Sequence, residues 1–587
     1  MNSIGSPDAS TTGPTATSIE APATIGPFLS RTRIAYFSME MALQPEMHTY
    51  SGGLGVLAGD TARSCADLGI PAVFVTLVSR LGYLRQEISP AGEQTEQIDP
   101  WEPSRFATPL RAKVAVLLED REVWVRPWLY VLKSPLGQTV PVLLLDTDLD
   151  ENAEGERRLT DQLYGRDQIY RLKQEAVLGI GGLRCLQALG FNIRTYHLNE
   201  GHAAFLALDL LRRYPRPEDQ VAPGELKYEV GRVRDMCIFT THTPVEAGHD
   251  RFPYDMVERV LRGYVGTDQL KLIAGTESLN MTRLALLLSG FVNGVANRHA
   301  DTTTKMFPGY KIRAITNGVH LPTWTHPAFT ELFNANFQAW AYEPEVMVHA
   351  DQLSDEQVWK AHSRAKADLI AYVETRLGTR LDPELPIIGF ARRMTAYKRP
   401  NLLFSDLARL KAIAAKYPFQ LVLAGKSHPS DGAGKELIKF INQQIAALAP
   451  AVKAVFIPNY DMAVAKVLTP GVDVWLNTPE PPLEASGTSG MKAAANGVLN
   501  FSVLDGWWLE ACVEGTTGWA IGRDGTSGAA NAGAADLYDK LEHQVLPLYS
   551  TDRARWIFMM KESISKIASY FNTHRMMRRY ATEAYLR

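Results

Sequence analysis

Cysteine is scarce in this sequence. Four occur in 587 residues, Cys65, Cys185, Cys237 and Cys512, and they lie far apart with no CxxC pair. That spacing offers neither a disulfide framework nor a zinc cage, so no metal site is expected and a reducing cytoplasm is the expected compartment. An excess of one charge is missing too. The 61 Lys and Arg stand against 64 Asp and Glu, a net charge of −3 with no long basic run, so nucleic acid is not an expected partner. Long hydrophobic runs are absent: the most apolar stretch, residues 284–296, is interrupted by Ser289 and Asn293. It falls short of the ~20 residues a bilayer demands, so no membrane span is expected. Residues 1–30 contain no Lys or Arg and no continuous apolar core, being mostly Ser, Thr, Pro and Ala. They read as a disordered tail, not a signal peptide.

What is present is a globular α/β pattern. With 46% hydrophobic and 21% charged residues the chain can bury a large core. At about 150 residues per domain its length implies roughly four domains or two large lobes. From Arg33 onward, short β-branched or aromatic runs alternate with helix-length amphipathic segments. Strands are expected at residues 34–39, 72–78, 114–118, 123–132, 140–145, 195–198, 236–241 and 311–316, and a mostly helical segment at 161–189. The Pro-, Trp- and His-rich stretch 321–327 reads as a crossover, dividing a first lobe, 31–325, from a second, 326–587. In the second, apolar runs beginning near Leu385, Phe419, Val452, Val472 and Val498 have the cadence of βαβ units in a doubly wound parallel sheet. Residues 551–586 have helical spacing and should pack as helices over the lobes.

In open α/β sheets ligands bind beyond the carboxyl ends of the strands, so residues just after each apolar run carry the information. Arg392, Arg393, Lys398 and Arg399 follow one such run, with no Asp or Glu between Leu385 and Ser405. Cations at a helix start oppose the macrodipole and hint at a neighbouring anion, although a solvated basic turn has the same composition. Ser51-Gly52-Gly53-Leu54-Gly55 follows the first strand, and its glycines would let backbone N–H groups close on an anion, or simply make a tight turn. It matches neither GxGxxG nor GxxxxGK[ST], so neither a dinucleotide nor a P-loop nucleotide is supported. In Glu484-Ala485-Ser486-Gly487-Thr488-Ser489-Gly490-Met491-Lys492 the lysine has small, apolar neighbours. A desolvated lysine has a lowered pKa suited to a Schiff base, and the Ser, Gly and Thr before it could donate to a phosphate or a sugar.

This run closely resembles the pyridoxal-phosphate signature of the α-glucan phosphorylases, the family of glycogen, starch and maltodextrin phosphorylases. Residues 34–40 with 50–60, 197–202, 240–244, 292–299, 316–320, 392–399 and 459–461 resemble further family blocks, in family order. The resemblance implies a two-lobed GT-B fold with the active site between Rossmann-like lobes, and C-terminal helices. It implies pyridoxal 5′-phosphate held by Lys492, Thr488, Gly52, Gly53, Arg392 and Tyr460. Arg393 and Lys398 match residues that hold the substrate phosphate. Glu484, Ser486, Gly487 and His242 match positions contacting the terminal glucose, and Tyr397 matches a residue lining the site. His202 and His299 read as satisfied polar residues. The implied reaction transfers the terminal glucosyl unit of an α-1,4-glucan, glycogen or maltodextrin, to inorganic phosphate, giving glucose 1-phosphate with retention. A homodimer is compatible with the resemblance. Arg392 stands where the large animal and plant enzymes carry Lys, Thr395 where they carry His, and Ser489-Gly490 where they carry Gly-Asn. These departures resemble a compact bacterial or archaeal branch, so the large enzymes' regulation is not carried over. The rival readings are a nucleotide-sugar-dependent glucan synthase on a similar fold and a catalytically silent glucan-binding protein.

Overall fold

The computed structural model describes residues 24–165, 167–522 and 532–586. Two mainly parallel sheets dominate them. The first has ten strands; along it lie Arg313–Ala314, Phe291–Gly294, Cys237–Thr240, Thr195–Asn199, Ile34–Ser38, Ala72–Leu77, Thr139–Asp146, Arg121–Lys133 and Thr108–Pro109, with Val114–Leu118 paired to Arg121–Lys133. Pairing is parallel as far as Thr139–Asp146 and antiparallel beyond it. The second has six parallel strands in the order Lys453–Ile457, Gln420–Ala424, Ile387–Ala391, Val474–Asn477, Leu499–Val503 and Gly518–Ile521. Chain order reverses beside Ile387–Ala391, which makes that edge a topological switch point.

Alternation within buried strands explains why both sheets carry helices on both faces. Ala35 and Phe37 pack into one core cluster, while Ile34 and Tyr36 pack into another on the opposite face. Ile388 and Phe390 face one cluster of the second sheet, and Ile387 and Ala391 face the other. The last helix, Thr573–Tyr580, returns to the first sheet: Met576, Met577 and Tyr580 share a cluster with Ile34 and Tyr36. The Tyr580 hydroxyl meets Thr240 Oγ1 at 3.1 Å and accepts from Asn293 Nδ2 at 2.9 Å.

Most expected strands lie within a residue or two of those observed. Two expectations need correction, and a third gains detail. The tail expected over residues 1–30 lies outside the described residues as far as residue 23, but Gly26–Leu29 is helical and Phe28 is buried against the first sheet's core. The segment expected as helix from residue 161 becomes one only at Gln168, where Asp167 caps the Tyr170 N–H at 2.9 Å. The stretch expected as a crossover at 321–327 contains a helical turn, Leu321–Trp324, and the first residue of the helix Pro327–Asn336. Proline suits both, because the first-turn N–H it lacks has no intrahelical partner. The sequence reading did not register Phe291–Gly294, hidden inside the apolar stretch 284–296, or the polar hairpin Arg85–Ile88/Gln94–Gln97.

Candidate active site

Strand ends from both sheets open onto one cavity of about 510 Å³. Glu40 follows Ile34–Ser38, Glu200 follows Thr195–Asn199 and His242 follows Cys237–Thr240, while from the second sheet Arg392 follows Ile387–Ala391 and Tyr460 follows Lys453–Ile457. The loop after Val474–Asn477 contributes Glu484, Ser486, Gly487 and Thr488, and the helix it enters, Ser489–Ala494, contributes Lys492. The residues that the resemblance assigns to the site therefore line this cavity, with the exception of Tyr397; the other expected cation, Arg399, turns instead to the carbonyls of Thr478 at 3.0 Å and Pro479 at 2.7 Å. The turn Ala396–Lys398 directs Lys398 inward, and Tyr397 meets the site only through its ring, 4.5 Å from the Lys398 ammonium.

Lys492 is buried, with its ammonium 3.7 Å from the centre of the Trp324 ring. Burial lowers its pKa to about 8, opposed by the charge of Asp60. Asp60 also accepts from Trp324 Nε1 at 2.7 Å, fixing the ring that covers the lysine. Neither Trp324 nor Asp60 stood out in the sequence, since a Trp in a Pro-rich stretch and an acid inside a helix have no spacing signal.

Glu484 is the hub of the cationic wall. Its Oε1 lies 2.7 Å from Arg392 Nη2, and its Oε2 binds the Lys398 ammonium. Burial alone would raise this carboxyl, but the two cations bring it down to about 2. Arg392 retains a buried Nη1 with no hydrogen-bond partner, a donor available to a further anion. The Glu484 N–H donates to Asp505 Oδ2 at 2.8 Å, and burial lifts the Asp505 carboxyl to about 6. Gly487 has φ +81°, and a Cβ there would lie 3.2 Å from the Trp507 ring and 3.3 Å from Glu484 Oε1. Both the backbone and the crowding require glycine.

The glycine loop is arranged differently from the expectation that both Gly52 and Gly53 would present N–H groups to an anion. The Gly52 N–H donates to the buried Glu40 carboxylate at 3.0 Å, as does the Ser51 N–H at 2.5 Å. The donors left are those of the first turn of the helix Gly53–Asp67, which have no intrahelical acceptor. A Cβ on Gly53 would meet nothing within 4 Å, whereas one on Gly52 would sit 3.4 Å from Arg393 Nη2. Arg393 is exposed to the cavity and reaches Ser51 Oγ at 3.4 Å, bridging the two halves. The Thr488 side chain makes no capping bond to its helix.

His242 is fixed by its backbone N–H to Glu200 Oε2 at 2.8 Å and by Nε2 to Asn199 Oδ1 at 2.6 Å. Burial draws its pKa down to about 4 against the pull of Glu200, so the ring is neutral at pH 7. Asn199 donates its amide to Ser38 Oγ at 3.1 Å, so its Oδ1 accepts and His242 carries its proton on Nε2. Nδ1 is then a lone pair. His299 is buried and accepts the Val295 N–H on Nδ1 at 3.2 Å, the structural role expected of it. His202 lines the cavity, its Nε2 3.1 Å from Arg171 Nη2.

Among the described residues no helix is long and apolar enough to cross a membrane. Residues 249–517 match the Phosphorylase family model, described as carbohydrate phosphorylase. The chain is 38% identical to a maltodextrin phosphorylase of Thermococcus litoralis over 94% of its own length and 70% of that protein's. A glycogen phosphorylase of Mycobacterium tuberculosis is 37% identical, with 94% and 71% covered. One from Aquifex aeolicus is 34% identical, with 94% and 86% covered. With a desolvated lysine and a ring of cations meeting at the strand ends, and with relatives this similar over most of their length, the chain belongs to the α-glucan phosphorylase family.

Proposed function

We propose that the protein is an α-1,4-glucan phosphorylase, moving the terminal glucosyl unit of glycogen or maltodextrin to inorganic phosphate to give α-glucose 1-phosphate with retention. The observation that carries this reading is the convergence of Lys492 with Arg392, Arg393 and Lys398 on one cavity. Two phosphates held close together repel, and only cations and oriented N–H groups make that tolerable. On this reading residues 31–325 and 326–587 act as the two lobes of a GT-B enzyme, with the terminal helix crossing back to the first. The buried free thiols of Cys65, Cys185 and Cys237 agree with a cytoplasmic enzyme.

The residues present fit pyridoxal 5′-phosphate. The lysine is desolvated, Arg392 has an unpartnered buried donor, and the first turn of the helix at Gly53 is uncrowded. Lys492, Thr488, Gly53 and Arg392 would hold it, Tyr460 and Gly52 forming the adjoining wall. When bound, the cofactor supplies a phosphate beside that of the substrate, its aldehyde serving as the anchor on Lys492.

The chain's own residues do the rest by positioning. Arg393 and Lys398 bind inorganic phosphate, which protonates the departing glycosidic oxygen and then attacks the glucosyl cation from the same face. Glu484, Ser486 and Gly487 orient the glucose. His242, neutral with Nδ1 as an acceptor, takes a hydrogen bond from a sugar hydroxyl and is no general acid at pH 7. A glycosidase would need a second carboxylate flanking the bond. Glu484, tied to two cations, is unsuited to donate a proton.

The test is a donor comparison with maltoheptaose as the glucan. Phosphate-dependent release of glucose 1-phosphate, and chain extension from glucose 1-phosphate, are expected. Extension from a nucleotide sugar but not from glucose 1-phosphate would overturn the reading.

A further inference from the structure

Away from the cavity, at the far end of the helix Gly53–Asp67, a second polar cluster is fully enclosed. A helix of 15 residues is about 22 Å long, so this cluster stands well behind the glycine loop at the other end. Asp67, His320 and His574 are all buried, and each turns one ligand-type atom to a common point, the three within 4.8 Å of one another. Asp67 Oδ2 lies 2.7 Å from His320 Nε2 and 3.2 Å from His574 Nε2. The three residues come from separate parts of the chain, so their spacing gave no motif. They join the helix after the first strand, the turn before Trp324 and the terminal helix.

We propose that Asp67, His320 and His574 form a binding site for a divalent cation of the zinc class, which fastens the terminal helix to the helix Gly53–Asp67 and to the turn before Trp324. Three observations carry this. The His574 ring is completely enclosed, yet its Nε2 makes no well-aligned hydrogen bond and has only the Asp67 carboxylate, 3.2 Å away, in front of it. Leaving such an atom unmet is unfavourable, and a cation would meet it.

Second, the outer atom of every ligand is next to a hydroxyl. Thr323 Oγ1 is 2.7 Å from His320 Nδ1, Ser64 Oγ is 3.5 Å from His574 Nδ1, and Ser134 Oγ donates to Asp67 Oδ1 at 2.5 Å. Hydroxyls accept as well as donate, so both rings can carry their proton on Nδ1 and turn the Nε2 lone pairs inward. That is the outer arrangement metal-binding histidines need.

Third, two imidazoles and one carboxylate are a nitrogen-rich donor set that suits zinc, whereas magnesium and calcium take oxygen. Metal–ligand distances of about 2.0–2.2 Å at tetrahedral angles place donor atoms about 3.3–3.6 Å apart. The 3.2 Å pair falls just short of this range, and the 2.7 Å pair has to open by less than about 1 Å.

The experiment uses the full chain without a histidine tag, expressed with added zinc, desalted, and analysed for metals by mass spectrometry alongside thermal unfolding. Near-stoichiometric zinc is expected, with a melting temperature that falls after chelation and recovers on adding zinc alone. His574→Gln should lose the metal and the zinc response. Loss of an outer partner costs about 10- to 100-fold in metal affinity. Thr323→Ala should therefore weaken zinc by that factor, a second readout if His574→Gln does not fold. Wild-type protein without zinc and without a zinc-dependent melting temperature would overturn the proposal, as would variants that retain zinc with unchanged affinity.

Discussion

Replacing Glu484 with Gln perturbs the centre of the cationic wall while keeping its shape. At an effective dielectric of about 20, the 2.7 Å contact with Arg392 alone is worth about 6 kcal/mol before desolvation is subtracted. The net effect is visible in the carboxyl itself, which falls from 4.5 to about 2 despite its burial, equivalent to about 3 kcal/mol. Because this pKa is depressed, the stabilisation is present above about pH 4.5 and is lost as the pH falls through about 2. In Glu484→Gln it is absent at every pH, leaving two enclosed cations without their shared anion. If Lys398 serves inorganic phosphate and Arg392 the cofactor's, the carboxylate competes with both. The variant should melt lower than wild type, yet bind inorganic phosphate about 10- to 100-fold more tightly, because up to about 3 kcal/mol of competition is gone. Turnover should fall, since the glucose loses an orienting group. Titration calorimetry with phosphate, and melting temperatures with and without it, read the two effects separately. Phosphate affinity unchanged or weaker in a folded variant would refute the reasoning.

Lys492→Ala should abolish activity and remove the bound cofactor's absorption band while the fold persists; stoichiometric, tightly held cofactor in that variant would place the anchor elsewhere. Arg393→Ala deletes a guanidinium able to make bidentate bonds to an anion. It should keep its cofactor but lose at least about a hundredfold in catalytic efficiency for phosphate. Near-normal phosphate kinetics would assign this arginine to another role. Asp505, raised from 3.8 to about 6 by burial, contributes stability that is full below pH 3.8 and lost as the pH rises through about 6, by about 3 kcal/mol. Asp505→Asn retains an acceptor but not this loss, so its melting temperature relative to wild type should climb between pH 4 and 7. A flat difference would count against the assignment.

The parallel strands were legible because each is buried on both faces and appears as a continuous apolar run, 387–391 and 420–424 being examples. Phe291–Gly294 was not, because the helix Met281–Leu287 just before it is equally apolar and the two merge into one run. The hairpin Arg85–Ile88/Gln94–Gln97 escaped for the opposite reason. It is polar, and its glutamines are satisfied by distant backbone: Gln86 Nε2 donates to the Gly425 carbonyl at 2.8 Å and Gln94 Nε2 to that of Ser427 at 2.9 Å.

Sequence alone determined the α/β alternation and the strand ends where chemistry would gather, because these depend on local periodicity and on residue type, while the roles of individual cavity groups came from the family resemblance. Only the tertiary structure decided what those groups do to one another. Glu484 and Arg392 are 92 positions apart, Trp324 and Lys492 are joined by no motif, and Glu40 occupies the Ser51 and Gly52 N–H groups of the glycine loop. Desolvation and charge pairing act through space over a few ångströms. They therefore depend on which strand ends the fold brings together, and no window of sequence contains them.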